Sequence, residues 1–434
     1  MTRRAILTLA FSVTLIAALP AAADAHHHPP AAANPGVITA WNATAVSTIA
    51  GPAPNGAGKA NAEGFLYFGF VQAAVYNAVN GITREYKLYK WHAKAPKGAS
   101  PEAAAAAAAH RVLLTYFGDT PISGPTITAN LNAALAASLG QIPDGRSKDQ
   151  GIRYGERAAD RVIKLRADDG RNDTSIVFNV PLGPGVWRPA PPANAPFFDP
   201  WLSHVDPLVL DSPSQFRPGP PPAINTTKYL DEFKEVRDYG VSTGSLRSPD
   251  QTQTALFFSD VGVFPYQAAL RDLVTRQGLD ISDSARLFGA VDTSLADAII
   301  AAWDGKFFYG WWRPIIAIQG AETDGNPDTA GVPGWMPLIA TPPYPDWPSG
   351  LGSVTGALST TLSRLNPNGQ VDLIITSTAA AETRHYLSAA VMQQDVINAR
   401  VWSGIHFRTA DEVGVATGIK VGNWTLDHYF APTK

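Results

Sequence analysis

The chain has 434 residues, 45% of them hydrophobic and only 16% charged, with a net charge of −3 and no cysteine. That supplies apolar material for a large core and excludes disulfides, Cys-ligated zinc and thiol catalysis. The near-neutral balance leaves no basic footprint, which argues against nucleic acid or an anionic membrane as partner.

Residues 1–25 read as a signal peptide. Arg3 and Arg4 form the basic start, Ala5 to Leu19 is an apolar run, and Ala23-Asp24-Ala25 is an A-x-A cleavage site. The run is shorter than a spanning helix requires, and no other stretch qualifies. His26–His28 suggest metal binding by composition alone. The mature domain is then 26–434, exported to the periplasm or the extracellular space.

Helix signals dominate the rest. Ser100-Pro101-Glu102 supplies an N-cap, a proline at the first helical position and an acidic first turn, predicting a helix through Phe117. Lys148–Asp169 is periodic, with Gly170 as the expected cap. Ser248-Pro249-Asp250 starts a helix over Gln251–Asp260. A longer helix is predicted from Asp283 to Arg313, with Leu287, Val291, Leu295, Ile299 and Trp303 on its apolar stripe. Residues 180–224 are proline-rich, but their Trp, Phe and Leu content points to an ordered strap rather than a disordered linker. No sustained strand alternation is evident, so the fold class is all-α.

Three separated pieces carry chemistry: Lys306–Pro314 (KFFYGWWRP), Pro348–Leu351 (PSGL) and Arg400–His406 (RVWSGIH). On a continuous helix Lys306 and Arg313, two turns apart, share a face at about 10.5 Å along the axis. That face continues the apolar stripe, so both cations point inward and need a carboxylate or a bound anion. The plainer alternative is a pair of structural salt bridges, to Asp292 or Asp297. Ser349-Gly350 at a helix start offers a hydroxyl and free N–H groups to an anion, although an ordinary Ser N-cap reads the same way. A helix break at Ser403-Gly404 turns His406 back toward the Arg400 guanidinium. Arg408 and Asp411 then stand ready to orient or compensate the site, and His385 is expected on the preceding helix.

In this order, Lys-x6-Arg-Pro, Pro-Ser-Gly and Arg-x5-His resemble the signature of the vanadium-dependent haloperoxidases, which share a superfamily with the type 2 phosphatidic acid phosphatases and bacterial acid phosphatases. The resemblance extends over Ala104–Phe117, Ile142–Gly170 and Ser212–Pro221. It implies one large helical domain built from two four-helix bundles, with the oxyanion site in the C-terminal one, about 281–434. Lys306, Arg313 and Arg400 would bind the oxygens of vanadate, or of phosphate in a hydrolase, with Ser349 and the Gly350 N–H as further donors. His406 would bond the metal axially or form a phosphohistidine, sharing the catalytic role with Lys306. Trp303 would line the anion pocket and Tyr344 the halide path. Halide and hydrogen peroxide would be the small-molecule substrates.

The chain departs from the family pattern at Leu351, where Pro-Ser-Gly is ordinarily followed by a proton-handling histidine, and in a minor way at Ala399. General acid–base catalysis is typically worth about 10²–10⁴-fold, or roughly 3–5 kcal/mol of barrier. Three readings follow: a haloperoxidase with impaired or altered proton handling, a phosphate ester hydrolase working through His406, and a non-catalytic oxyanion-binding homologue.

Overall fold

The computed structural model describes residues 33–260 and 262–433. The expected signal peptide and the His26–His28 tail lie outside them. The described residues form α1 (Gly36–Ile49), α2 (Ala62–Thr83), α3 (Pro101–Phe117), α4 (Gly124–Gly140), α5 (Arg146–Leu165), α6 (Thr227–Gly240), α7 (Pro249–Phe257), α8 (Val263–Gln277), α9 (Ile281–Tyr309), α10 (Pro314–Gln319), α11 (Gly350–Leu365), strands β1 (Leu373–Ser377) and β2 (Glu382–Tyr386), α12 (Ala389–Trp402) and α13 (Arg408–His428). None of these helices is long and apolar enough to cross a membrane.

The long α9 is the axis of the molecule. Asp280 caps its start by accepting from the Asp283 N–H, and Gly310, at φ 54°, ends it in the left-handed conformation that glycine adopts without strain. All five residues of the expected apolar stripe are buried, as are most of their neighbours. A helix buried nearly all round sits between two layers, and α9 does so. It packs against α2 of an N-terminal bundle with α3 and α5, and against α11 and α13 of a C-terminal bundle completed by α12.

Glycine sets the closeness of α11 and α13. A Cβ at Gly418 would stand 2.0 Å from the Ser353 carbonyl, and one at Gly356 would stand 2.3 Å from the Val415 carbonyl. Backbone therefore meets backbone. At the top of this contact the Ser349 N–H donates to the Ala410 carbonyl at 2.9 Å, tying the start of α11 to the start of α13.

The strap is ordered. The N–H groups of Leu208, Val209 and Leu210 all donate to the Asp297 carboxylate at 2.7 Å, and Arg217 makes a two-pronged pair with Asp304 at 2.6 and 2.7 Å. Trp187 and Phe198 add backbone bonds to Gly310 and Pro343. The loop is thereby laced to the outer side of α9 and to the segment preceding Ser349.

Four expectations are corrected. Arg313 is not on α9: the helix stops at Tyr309, and Arg313 is the extended N-cap residue of α10 at φ −86°, ψ 154°. Pro314 excludes helical geometry before it and opens the next helix instead. α5 ends at Leu165, with Gly170 in the turn beyond its cap. α7 ends at Phe257, short of Asp260. His385 lies on β2, in an antiparallel hairpin that pairs Ile374 with His385. Ile374, Ile375 and Thr376 favour a strand through their β-branched side chains, and the five-residue run is too short to stand out by alternation. The Ser100 and Ser248 caps form as expected, the second as a full capping box.

Candidate oxyanion site

Lys306 from the last turn of α9, Arg313 before α10, Ser349 and Gly350 at the start of α11, Arg400 near the end of α12 and His406 before α13 converge in the C-terminal bundle. Lys306, Arg313 and Ser349 are 0% exposed, His406 1% and Arg400 7%. The short turn from Gly310 to Trp312 brings Arg313 to Lys306, a placement that the two-turn spacing foresaw through the wrong geometry.

The cations are held mainly by carbonyl groups, with Asp346 Oδ1 3.7 Å from Arg313 Nη1, rather than by Asp292 or Asp297. Lys306 Nζ donates to the Pro345 carbonyl at 2.7 Å and the Asp346 carbonyl at 3.1 Å. Arg313 donates through Nε to the Tyr344 carbonyl at 2.7 Å and through Nη1 to the Ile405 carbonyl at 2.6 Å. Both cations lie against the Tyr344 ring, at 5.0 and 4.8 Å, and Lys306 also faces Trp303. Arg313 Nη2 and Arg400 Nε are buried without a partner. Burial, then the neighbouring Arg313, holds Lys306 well below the usual ammonium range, and burial lowers Arg400. Crowded, partly unsatisfied donors of this kind are what a bound anion completes.

Glycine shapes the floor. A Cβ at Gly350 would sit 3.1 Å from the Trp303 ring and 3.9 Å from Lys306 Cε, so only a bare backbone leaves the cradle open. Ser349 caps α11 by accepting from Gly352 N–H at 3.2 Å. The ordinary cap and the donor role coexist, since the hydroxyl proton and the first-turn N–H groups remain to be given.

His406 follows the break at Gly404, which has φ 80°. The guanidinium at hydrogen-bonding distance is that of Arg313, with Nη1 3.1 Å from His406 Nε2, in place of the expected Arg400. Nδ1 stands 2.7 Å from Asp346 Oδ1. Burial, then Arg313, Arg400 and Lys306, drives the imidazole well below its usual range, so it is neutral. Arg313 Nη1 lies near both ring nitrogens, 3.4 Å from Nδ1 and 3.1 Å from Nε2, so the neutral ring can accept from it.

Two carboxylates complete the cluster. Asp346 went unassigned in the sequence. Burial pushes its carboxyl up to about 7, against the pull of Arg313 and Lys306. Asp411 is buried beside Ser349 and Arg400, and burial raises it well above the usual carboxylate range. Arg408 instead turns outward, pairing with Glu235 at 2.6 Å. His385 is far from this chemistry in its contacts, bonded to Asp372 on the hairpin at 2.7 Å. Among the described residues no three His, Asp or Glu side chains gather as a ligand set for a metal cation.

Above the cradle a cavity of about 550 Å³ opens, with Arg400, Gly350, Leu351, Trp303 and Tyr344 among its walls. Leu351 thus stands beside the anion site, where it offers an isobutyl group and no proton.

Residues 286–433 match the family described as the VCPO second helical-bundle domain. Vanadium chloroperoxidase from Curvularia inaequalis is 25% identical in an alignment covering 78% of this chain, which spans 66% of that relative's length. Among solved structures, the first bacterial vanadium-dependent iodoperoxidase superposes with a TM-score of 0.74 at 22% identity, over 92% of this chain and 97% of that one. A bacterial vanadium-dependent chloroperoxidase in its holo form follows at 0.65 and 17%, over 85% and 91%.

Proposed function

Since this chain is a relative of the vanadium-dependent haloperoxidases, we propose that it binds vanadate among Lys306, Arg313, Ser349, Gly350, Arg400 and His406 and uses hydrogen peroxide to oxidise halide. The observation that carries this reading is the pair of orphaned donors, Arg313 Nη2 and Arg400 Nε, in a cradle where the His406 imidazole meets Arg313. The residues fit the group. Three cations against two carboxylates leave a surplus of positive charge when all are ionised, the α11 start adds N–H donors, and the neutral His406 imidazole would serve as the nitrogen donor to the group.

Vanadate, when bound, supplies the Lewis acidity that activates a peroxide. The protein's own residues do the rest. Lys306 and Arg400 would neutralise oxygens, Arg313 would both neutralise and hold the His406 ring, and Asp346 stands beside Nδ1. Leu351 carries no proton, so proton handling falls to other groups. Asp346 and Asp411, both held toward their protonated forms by burial, are the acids within the cluster. The basic start, apolar run and A-x-A site of residues 1–25 support export.

The test is vanadium content after dialysis against vanadate, coupled to peroxide-dependent halide oxidation. His406→Ala should abolish both, whereas His385→Ala should leave both intact. A protein that takes up no vanadium and oxidises no halide would sink the reading. Leu351 favours a second one, phosphate ester hydrolysis with a good leaving group, in which protonation of that group matters less. Trapping a phosphohistidine at His406 with an activated aryl phosphate would establish it.

A further inference from the structure

We propose that the Tyr344 hydroxyl donates to the cavity-facing oxygen of the bound anion and is the proton donor of this site, in place of the side chain that Leu351 does not supply. The proton role rests on the haloperoxidase reading; the contact to the anion rests on the cradle alone.

The ring is fixed among the cations. Its centre lies 5.0 Å from Lys306 Nζ, 4.8 Å from the Arg313 guanidinium carbon and 4.8 Å from the Trp303 ring centre. The carbonyl of the same residue accepts from Arg313 Nε at 2.7 Å. Contacts on several sides hold the phenol C–O bond in one direction, as a reacting group requires. Burial apart, the phenol is the group that acts most strongly on Arg400, and it follows only Asp346 in acting on Arg313. Its oxygen therefore lies near both guanidinium groups. The side chain is half-buried, lines the cavity beside Leu351, Gly350 and Arg400, and forms no hydrogen bond through its hydroxyl to the described residues.

No other group on the cavity wall suits the task. Asp260 is occupied by the Ser377 hydroxyl and by the Thr378 and Ala379 N–H groups at 2.6 to 3.0 Å. Ser259 donates its hydroxyl to the Leu256 carbonyl at 2.7 Å, and Trp303 donates Nε1 to the Phe198 carbonyl at 3.2 Å. The Thr341 hydroxyl and the Asn61 amide are too weakly acidic, and a guanidinium keeps its protons. A phenol does serve as a general acid. Asp346 and Asp411 are fully buried and do not line the cavity, so a proton from either reaches it only through the cradle. Tyr344 alone joins the cations, an acidic hydroxyl and the open space.

The balanced reaction is H₂O₂ + X⁻ + H⁺ → HOX + H₂O. The O–O bond breaks, an oxygen–halogen bond forms, halide is oxidised and peroxide is reduced. The Tyr344 O–H bond breaks as its proton passes to the oxygen that leaves as water. Lys306, Arg313 and Arg400 stabilise the phenolate until cavity water returns a proton to it.

Tyr344→Phe tests this, because it keeps the ring, its cation contacts and the carbonyl on Arg313 and removes only the hydroxyl. Calorimetric titration of the full protein with phosphate, without vanadate or peroxide, should show affinity lowered at least about threefold. Equal affinity overturns the contact. With vanadate, halide and peroxide present, kcat should fall at least about tenfold, and a smaller loss overturns the proton role. In a Leu351→His background the same change should cost less than about threefold, since the imidazole then supplies the proton. An equal loss in both backgrounds overturns the proton role. Should Leu351→His fold poorly, Tyr344→His in the parent chain should be at least about threefold more active than Tyr344→Phe, and no difference overturns the role equally. Weakened phosphate binding in Tyr344→Phe, with a parent protein that oxidises no halide, would count against the haloperoxidase reading and remove the proton role with it, while the contact to the anion stands.

Discussion

Asp346 Oδ1 stands 2.7 Å from His406 Nδ1, and the same ring meets Arg313 through Nε2 at 3.1 Å. The imidazole is thus set between a carboxyl group and a guanidinium. Groups that orient a metal-bound imidazole are commonly worth about 10–100-fold in affinity. Asp346→Asn removes a carboxyl that carries its charge above about pH 7, which favours any anion there, and changes the group that faces Nδ1. Phosphate affinity should therefore stay level or rise, while the vanadate-to-phosphate affinity ratio falls about tenfold. Equilibrium titration with both anions checks this; an unchanged ratio would show that Asp346 does not tune how His406 would hold vanadate.

Arg400 should dominate anion-linked stability. A ligand bound only by the folded state at a hundred times its Kd adds about 2.7 kcal/mol. Millimolar vanadate or phosphate should raise the melting temperature by a few degrees. Arg400→Ala should lose most of that rise with its helical circular dichroism intact, because the residue sits at the cavity floor rather than in a structural ion pair. A protein that shows no shift with either anion would remove the main support for a shared site.

Leu351→His restores a proton-transfer group beside the cradle. General acid–base effects begin at about a hundredfold when geometry is right, so a gain of at least about tenfold in peroxide-dependent halide oxidation is expected. Hydrolysis of poor-leaving-group phosphates should gain similarly if that chemistry operates, and activated aryl phosphates should gain less. Some stability is lost unless the new ring finds a partner. A folded, vanadate-binding variant with no gain would favour the non-catalytic reading.

Asp292 provides a pH signature away from the site. It is buried in α9, accepts from Gln267 at 2.5 Å, and its second oxygen has no partner. Burial pushes its carboxyl up from 3.8 to about 7. Between those values the folded chain keeps a proton that the unfolded chain releases, so this residue's contribution to stability falls as pH rises through that window. A shift of roughly three units caps the loss near 4 kcal/mol. Asp292→Asn keeps the acceptor for Gln267 and cannot ionise. It should be more stable than the parent above neutrality and no more stable near pH 4, as denaturant melts at the two pH values would show.

The sequence made the polar ends of this site legible and left its supporting shell obscure. Lys306, Arg313, Ser349, Arg400 and His406 were readable because cations, a Ser-Gly pair and an imidazole are conspicuous beside apolar runs. Their convergence followed from motif order rather than from local geometry, as the break at Gly310 makes plain: helical spacing alone placed Arg313 on α9. Asp346 was overlooked because its value depends on burial and on a ring sixty residues away, neither of which a local pattern encodes. The β1–β2 hairpin was missed for a related reason, since a five-residue strand gives too few alternations to separate from a loop.

Asp297 has a consequence for how this protein can vary. It grips residues 208–210 through three backbone N–H groups, and a main-chain donor is the same whatever side chain it carries. At residues 208–210 the loop over α9 is therefore fastened by position rather than by identity. Their side chains are buried and answer to packing, while their main chain answers to one carboxylate. Altering Asp297 would orphan three main-chain donors at once, leaving the Arg217–Asp304 pair to hold the segment beyond them.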